Sequence, residues 1–152
     1  GYAAVSEPMS SRRDMALKLG ADAVIDPVNE DAGKAIRAKL PQGADVVIEC
    51  AGHPSAMAQA VDMARRGGTV VLFSVASPDA VLPLRPFDVF QKELTIKGSF
   101  INPGTHGRAL ALITSGKVKI KPLITHTYNL DELEKAIEMQ TSPKSIKVMV
   151  TP

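Results

Sequence analysis

Short runs rich in Val, Ile and Ala alternate along the chain with segments whose apolar residues recur three and four positions apart. Residues 3–7 (AAVSE) predict a strand that starts almost at the first residue. Ser10 or Ser11 then caps a helix through Leu19, with Met15, Ala16 and Leu19 on one face and Gly20 as its stop. A short strand over 23–26 leads through Pro27 to a helix over about 29–40, with Ala32, Ala35 and Ile36 inward. Residues 44–50 (ADVVIEC) form a nearly continuous apolar run, the pattern of a strand buried on both faces. Pro54 suits the first position of a helix whose inward residues are Ala56, Met57, Ala60, Val61 and Ala64, and Gly67-Gly68 reads as its end. Residues 69–75 (TVVLFSV) predict a second strongly buried strand. Such alternation of strand and helix implies right-handed crossovers and a parallel sheet covered on both faces, an α/β fold.

The rhythm changes after Val75. Residues 76–86 hold Pro78, Pro83 and Pro86 and suit a loop or an edge strand, because proline cannot donate to a ladder inside a sheet. A strand over 94–100 (LTIKGSF), a helix over 105–117 between Thr105 and Gly116, a strand over 123–128, a helix over about 131–140 and a strand over 146–150 complete the pattern. No internal repeat, low-complexity tract or long linker interrupts it.

Composition narrows the class. Of 152 residues, 45% are apolar and 22% charged, and Lys plus Arg exceed Asp plus Glu by 18 to 16. That balance predicts a packed core and gives no ground for a nucleic-acid or membrane partner. Cys50 is the single cysteine, so neither an internal disulfide nor a Cys-x-x-Cys metal knuckle can form. No apolar run approaches the roughly 18 residues of a membrane span. A soluble, cytoplasmic protein is the expectation.

Searches for nucleophile elbows, P-loops and paired metal-binding histidines find none. His53, His106 and His126 fall in three different elements and read as capping or solvated residues. Cys50, at the end of its strand, reads as a small apolar filler. One acid stands out. Glu7 closes a strand predicted to be buried and is followed at once by a helix carrying Arg12 and Arg13. In a doubly wound fold, an acid in that place accepts hydrogen bonds from the adenosine ribose hydroxyls of NAD. A 2′-phosphate there would meet a like charge, at a cost of about 4 kcal/mol for unit charges about 4 Å apart at an effective dielectric near 20. Glu7 thus favours NAD over NADP, while the two guanidinium groups pull the other way.

The stretches 5–27 (VSEPMSSRRDMALKLGADAVIDP), 43–61, 65–75, 90–100 and 112–138 together resemble the C-terminal part of zinc-type medium-chain alcohol dehydrogenases, nearest to the threonine, sorbitol and polyol dehydrogenase branch. The resemblance implies a doubly wound, Rossmann-type parallel sheet, truncated at its N-terminus. Residues 1–100 would be a dinucleotide-binding domain lacking its first strand and glycine-rich turn. Residues 101–152 would pack with a catalytic domain absent from this chain. By the resemblance, Glu7 holds the adenosine ribose with Arg12 beside it, and Cys50, Ala51 and Gly52 line the cofactor cleft. Phe73, Ser74 and Val75 meet the nicotinamide end, and Ser99 and Phe100 its carboxamide side. The cofactor expected is NAD rather than NADP. Zinc and the catalytic residues belong to the missing half, so none is assigned here.

The absence of a G-x-G-x-x-G turn removes the best part of a pyrophosphate cradle. It also leaves two strand edges open in the expected order 3-2-1-4-5-6. The chain therefore reads as a fragment, inactive alone, of an enzyme that oxidises alcohols or polyols. Two alternatives stay open: a zinc-free, NADPH-dependent quinone-reductase-like relative, and a non-catalytic nucleotide-binding or interaction module. The resemblance further implies a homodimer or tetramer in which residues 80–85 (AVLPLR) pair with their two-fold mate.

Overall fold

A computed structural model describes residues 1–101 and 103–152; Asn102, inside the segment 101–152 distinguished above, lies outside the described residues. The elements in chain order are β1 (Ala4–Ser6), α1 (Ser10–Leu19), β2 (Ala23–Ile25), α2 (Ala32–Lys39), β3 (Ala44–Glu49), α3 (Pro54–Met63), β4 (Ala64–Leu72), α4 (Pro86–Lys92), β5 (Thr95–Gly98), α5 (His106–Thr114), β6 (Ile124–Asn129), α6 (Leu133–Thr141) and β7 (Lys147–Thr151). They form two compact units, one of residues 1–24 and 104–152, the other of residues 25–103.

The second unit carries a three-stranded sheet of order β3-β4-β5, parallel throughout. Its core is Ala60, Ala64 and Val70, with Val47, Leu72, Leu94 and Ile96 packed around them. Helix α3 lies on this sheet and α2 on α3, burying Ala32, Ile36, Met57 and Val61. The side chain of Asp31 accepts from the backbone N–H of Lys34 and caps α2. Three carbonyls at the other end of α3, those of Val61, Asp62 and Ala64, accept from the Lys92 ammonium at 3.2, 3.0 and 3.4 Å. Helix carbonyls lack partners within the last turn, so a cation placed there satisfies them and complements the helix dipole.

In the first unit β1 pairs with β2, and β6 pairs with β7 in parallel beside α6. Gly20 ends α1 in the left-handed conformation at φ 107°, donating to the carbonyls of Ala16 and Leu17. The side chain of Arg12 ties α1 to the loop before β7 through the Ser145 carbonyl at 3.1 Å, and Ser145 Oγ donates to the Met139 carbonyl at 2.8 Å.

Several expectations require correction. Helix α1 is capped at Met9 without a side-chain bond, and neither Ser10 nor Ser11 fills that role. Helix α2 starts at Ala32 rather than near Asn29, because the Asp26 side chain accepts from Val28 N and Asn29 Nδ2 and holds a turn there. Helix α3 stops at Met63, and Gly67-Gly68 sit inside β4. The bulge between the Ala44–Ala64 and Val46–Thr69 pairs needs them: Gly67 adopts φ 68°, and a Cβ at Gly68 would lie 2.8 Å from the Arg65 carbonyl oxygen. Strand β4 correspondingly ends at Leu72, before Phe73. Helix α4 forms where the hydrophobic pattern predicts no element, although Pro86 at its start, Asp88 in its first turn and Lys92 in its last are helix signals. Strand β3 is not buried on both faces. It is an edge of its sheet, with Val46 and Ile48 56% and 61% exposed, while Val47 and Glu49 face inward. Strand β1 is likewise largely exposed.

Candidate functional site

Because β3, β4 and β5 all point the same way, their carboxyl ends share one edge of the sheet. Open parallel sheets of alternating α/β chains bind ligands along that edge. The pairing continues past the strands: Phe73 N and Ser74 N donate to the Glu49 carbonyl at 3.0 and 3.2 Å, and Ser99 N donates to the Leu72 carbonyl at 3.1 Å. Gly52 closes the turn after β3 at φ 75°, and a Cβ there would stand 2.7 Å from the Val75 carbonyl oxygen. Glycine is what lets the turn reach the following strand's end. Cys50, Ala51, Gly52, Phe73, Ser74, Val75 and Ser99 thus come together on one edge, and Phe100, next in the chain, is exposed.

Glu49 organises this edge, a role that the hydrophobic pattern does not predict. Its side chain is almost fully buried at 4% exposure. Oε1 accepts from Ala51 N at 2.7 Å and from Gly52 N at 2.9 Å, and Oε2 accepts from Ser74 Oγ. The signal available in the sequence was an acid closing an apolar strand, three residues before a glycine. Cys50 is exposed, yet partial burial and then the adjoining Glu49 carboxylate push its thiol above the ordinary range. A raised thiol is a poor nucleophile at neutral pH, in keeping with a passive role.

In the first unit, Glu7 follows β1 and its Oε1 accepts from Met9 N at 2.9 Å. Arg13 Nη1 donates to the carbonyls of Glu7 and Pro8 at 2.7 and 2.8 Å, which holds the turn. The guanidinium of Arg12 is directed at Ser145, and its buried Nε has no hydrogen-bond partner among the described residues.

The histidines stay apart. His53 Nδ1 accepts from Ser55 N and lies 2.7 Å from Ser55 Oγ, so it caps α3 as expected. His126 Nδ1 lies 3.0 Å from Thr125 Oγ1 on β6, and His106 opens α5. A shallow depression of about 670 Å³, lined by Arg66, Phe90, Gln91, Lys92 and Glu93, sits toward the start of β4, away from the carboxyl edge. Among the described residues no three His, Cys, Asp or Glu side chains are grouped to hold a metal ion. Among the same residues no helix is long and apolar enough to cross a membrane.

A parallel α/β sheet with a glycine-shaped carboxyl edge defines a chain of the doubly wound, nucleotide-binding class. Residues 3–115 match the family model described as zinc-binding dehydrogenase, and the chain belongs to that family. It is 32% identical over 145 residues to D-arabinitol dehydrogenase 1 of Uromyces fabae, covering 93% of this chain and 42% of that protein. With L-threonine 3-dehydrogenase of Bacillus subtilis it shares 35% identity over 144 residues, covering 93% of this chain and 41% of the relative. The chain spans about two fifths of the length of these curated relatives. Among solved structures, one from Sinorhizobium meliloti, described as a zinc-binding dehydrogenase bound to NADP, superposes with a TM-score of 0.94 at 36% identity, over 99% of this chain and 45% of that one. An alcohol dehydrogenase from E. coli in complex with NADH gives a TM-score of 0.90 at 25% identity, over 99% and 44%.

Proposed function

We propose that this chain is the cofactor-binding portion of an NAD-dependent alcohol or polyol dehydrogenase. The observation that carries the reading is the carboxyl edge of the second unit, where Gly52 brings the turn after β3 against Val75 with no room for a side chain. In that unit Cys50, Ala51, Gly52, Phe73, Ser74, Val75, Ser99 and Phe100 take the nicotinamide half of the dinucleotide. In the first unit Glu7 accepts from the adenosine ribose hydroxyls, with Arg12 as the adjoining positive charge. The carboxylate of Glu7 has one oxygen engaged by Met9 N, which orients the group. Its charge disfavours a 2′-phosphate, so NAD is the cofactor preferred over NADP. The bound dinucleotide supplies the hydride acceptor, and the chain's residues orient its two ends. Metal chemistry, where the full enzyme uses it, is assigned to no residue here.

Titration of the chain with NADH and NADPH, followed by nicotinamide fluorescence, tests the cofactor assignment. NADH binding tighter than NADPH binding is expected, and Glu7→Ala should weaken NADH by about tenfold while leaving NADPH nearly unchanged. Equal losses for both would remove the ribose role from Glu7. Assembly is proposed to run through residues 80–85. They lie in a loop in which Val81 is 76% exposed and Leu84 37%. Two such segments paired about a two-fold axis would cover their apolar side chains. Leu82→Lys should shift the protein toward monomer in sedimentation, and an unchanged association state would exclude this edge.

A further inference from the structure

A buried acid with no ion pair among the described residues needs a reason to be where it is, because an unpaired buried carboxyl group destabilises the fold unless hydrogen bonds satisfy it. Glu49 is satisfied wholly from one side of the sheet's carboxyl edge. Ala51 N and Gly52 N donate to one oxygen at 2.7 and 2.9 Å, and Ser74 Oγ donates to the other. The same residue's backbone carbonyl receives Phe73 N and Ser74 N. One residue therefore joins the turn after β3 to the segment after β4 through five hydrogen bonds. A backbone N–H can only donate, and a carboxylate can only accept, so the pattern has one consistent polarity. The single hydroxyl hydrogen of Ser74 is used on Glu49. What half-buried Ser74 offers to anything lying on the edge is its lone pairs.

We propose that Glu49 is a positioning residue that locks the Cys50–Gly52 turn to Ser74 and presets Ser74 as a hydrogen-bond acceptor. The ligand group recognised there is then uncharged and carries a donor, an amide N–H or a sugar O–H, rather than a phosphate. A phosphate would find no donor on Ser74 and would face the Glu49 carboxylate behind it. The lock stands on the geometry alone. The ligand half rests on the nucleotide reading above, and it assigns this edge to the nicotinamide riboside part of the dinucleotide.

The experiment uses the whole chain with Glu49→Gln, Glu49→Ala and Ser74→Ala, and two readouts. The first is amide hydrogen exchange at Ala51 and Gly52, with the fully buried Val70 as the internal reference for global opening. Glu49→Ala should speed exchange at Ala51 and Gly52 by about tenfold or more relative to Val70. Glu49→Gln keeps an oxygen for both N–H groups and should hold exchange within about threefold of the unsubstituted chain. Glu49→Leu, which keeps the bulk without an acceptor, replaces Glu49→Ala if that variant does not fold, with the same acceleration expected. Exchange at Ala51 and Gly52 that tracks Val70 in the variants overturns the lock. The second readout is calorimetric affinity for NADH against ADP, which lacks the whole nicotinamide riboside. In Glu49→Gln the side-chain amide must donate to Ser74, turning the hydroxyl hydrogen outward. Both Glu49→Gln and Ser74→Ala should weaken NADH about five- to tenfold and leave ADP unchanged. Parallel loss of both ligands, or loss of neither, overturns the acceptor role. If the unsubstituted chain binds neither ligand, the nucleotide reading and the acceptor role fall together, and the exchange data decide the lock by themselves.

Discussion

Replacing Gly52 by Ala tests the contact that shapes the carboxyl edge. The magnitude has two parts. At φ 75° an L side chain meets its own carbonyl, which costs about 1–2 kcal/mol. The added Cβ would also stand 2.7 Å from the Val75 carbonyl oxygen, a backbone atom that cannot swing aside, and overpacking of this kind costs about 1–3 kcal/mol more. Gly67 in the same unit separates the parts. It has φ 68°, and its nearest neighbour is the flexible end of Arg65 at 3.3 Å, so Gly67→Ala carries only the conformational part, about 1–2 kcal/mol. Urea unfolding followed by circular dichroism should place Gly52→Ala about 1–3 kcal/mol below Gly67→Ala, with similar denaturant slopes. Equal destabilisation by the two substitutions would mean that the turn does not press on Val75, and the glycine-shaped edge would lose its basis.

Two further outcomes follow from the same unit. Lys92→Met keeps the aliphatic stem but strips two α3 carbonyls and that of Ala64, which follows the helix, of their ammonium donor, and should cost about 2 kcal/mol of unfolding free energy by urea titration. The carboxyls of Asp31 and Asp45 are held below their ordinary range, the first by the N–H of Lys34 and the second by the Arg65 guanidinium. A depressed carboxyl stabilises the fold above its unfolded value, here 3.8. That contribution disappears as the pH falls through the lower folded value. The urea midpoint should therefore drop on acidification below about pH 4, and less steeply in Asp31→Asn and Asp45→Asn; identical pH profiles would remove both groups from the acid transition.

Strands and most helices were legible because their signals are local. Gly20 stops α1, Pro54 opens α3, and the Val-rich runs of β3 and β4 lie in the strands expected. The boundaries that moved did so for nonlocal reasons. The Gly67-Gly68 pair has the composition of a helix stop but serves a bulge, because register against Ala44 and Val46 in another strand determines where those glycines fall. The candidate residues of the second unit could be placed at strand ends from the sequence, since parallel strands share their carboxyl edge. Glu49 could not be recognised in the same way. An acid ending a strand looks like any solvated carboxylate until the turn folds its N–H groups back and Ser74 arrives from the next strand.

Hydrophobic periodicity and the turn residues by themselves determined the class of this protein, an α/β chain with parallel strands, because periods of two and of three to four residues record which side of each element meets the interior. Assembly lay beyond that information. The grouping of residues 1–24 with 104–152, the exposure of Val46 and Ile48 on an edge strand, and the five bonds on Glu49 depend on residues far apart in the chain. A local pattern specifies what each segment can bury or accept, and only packing supplies the partner.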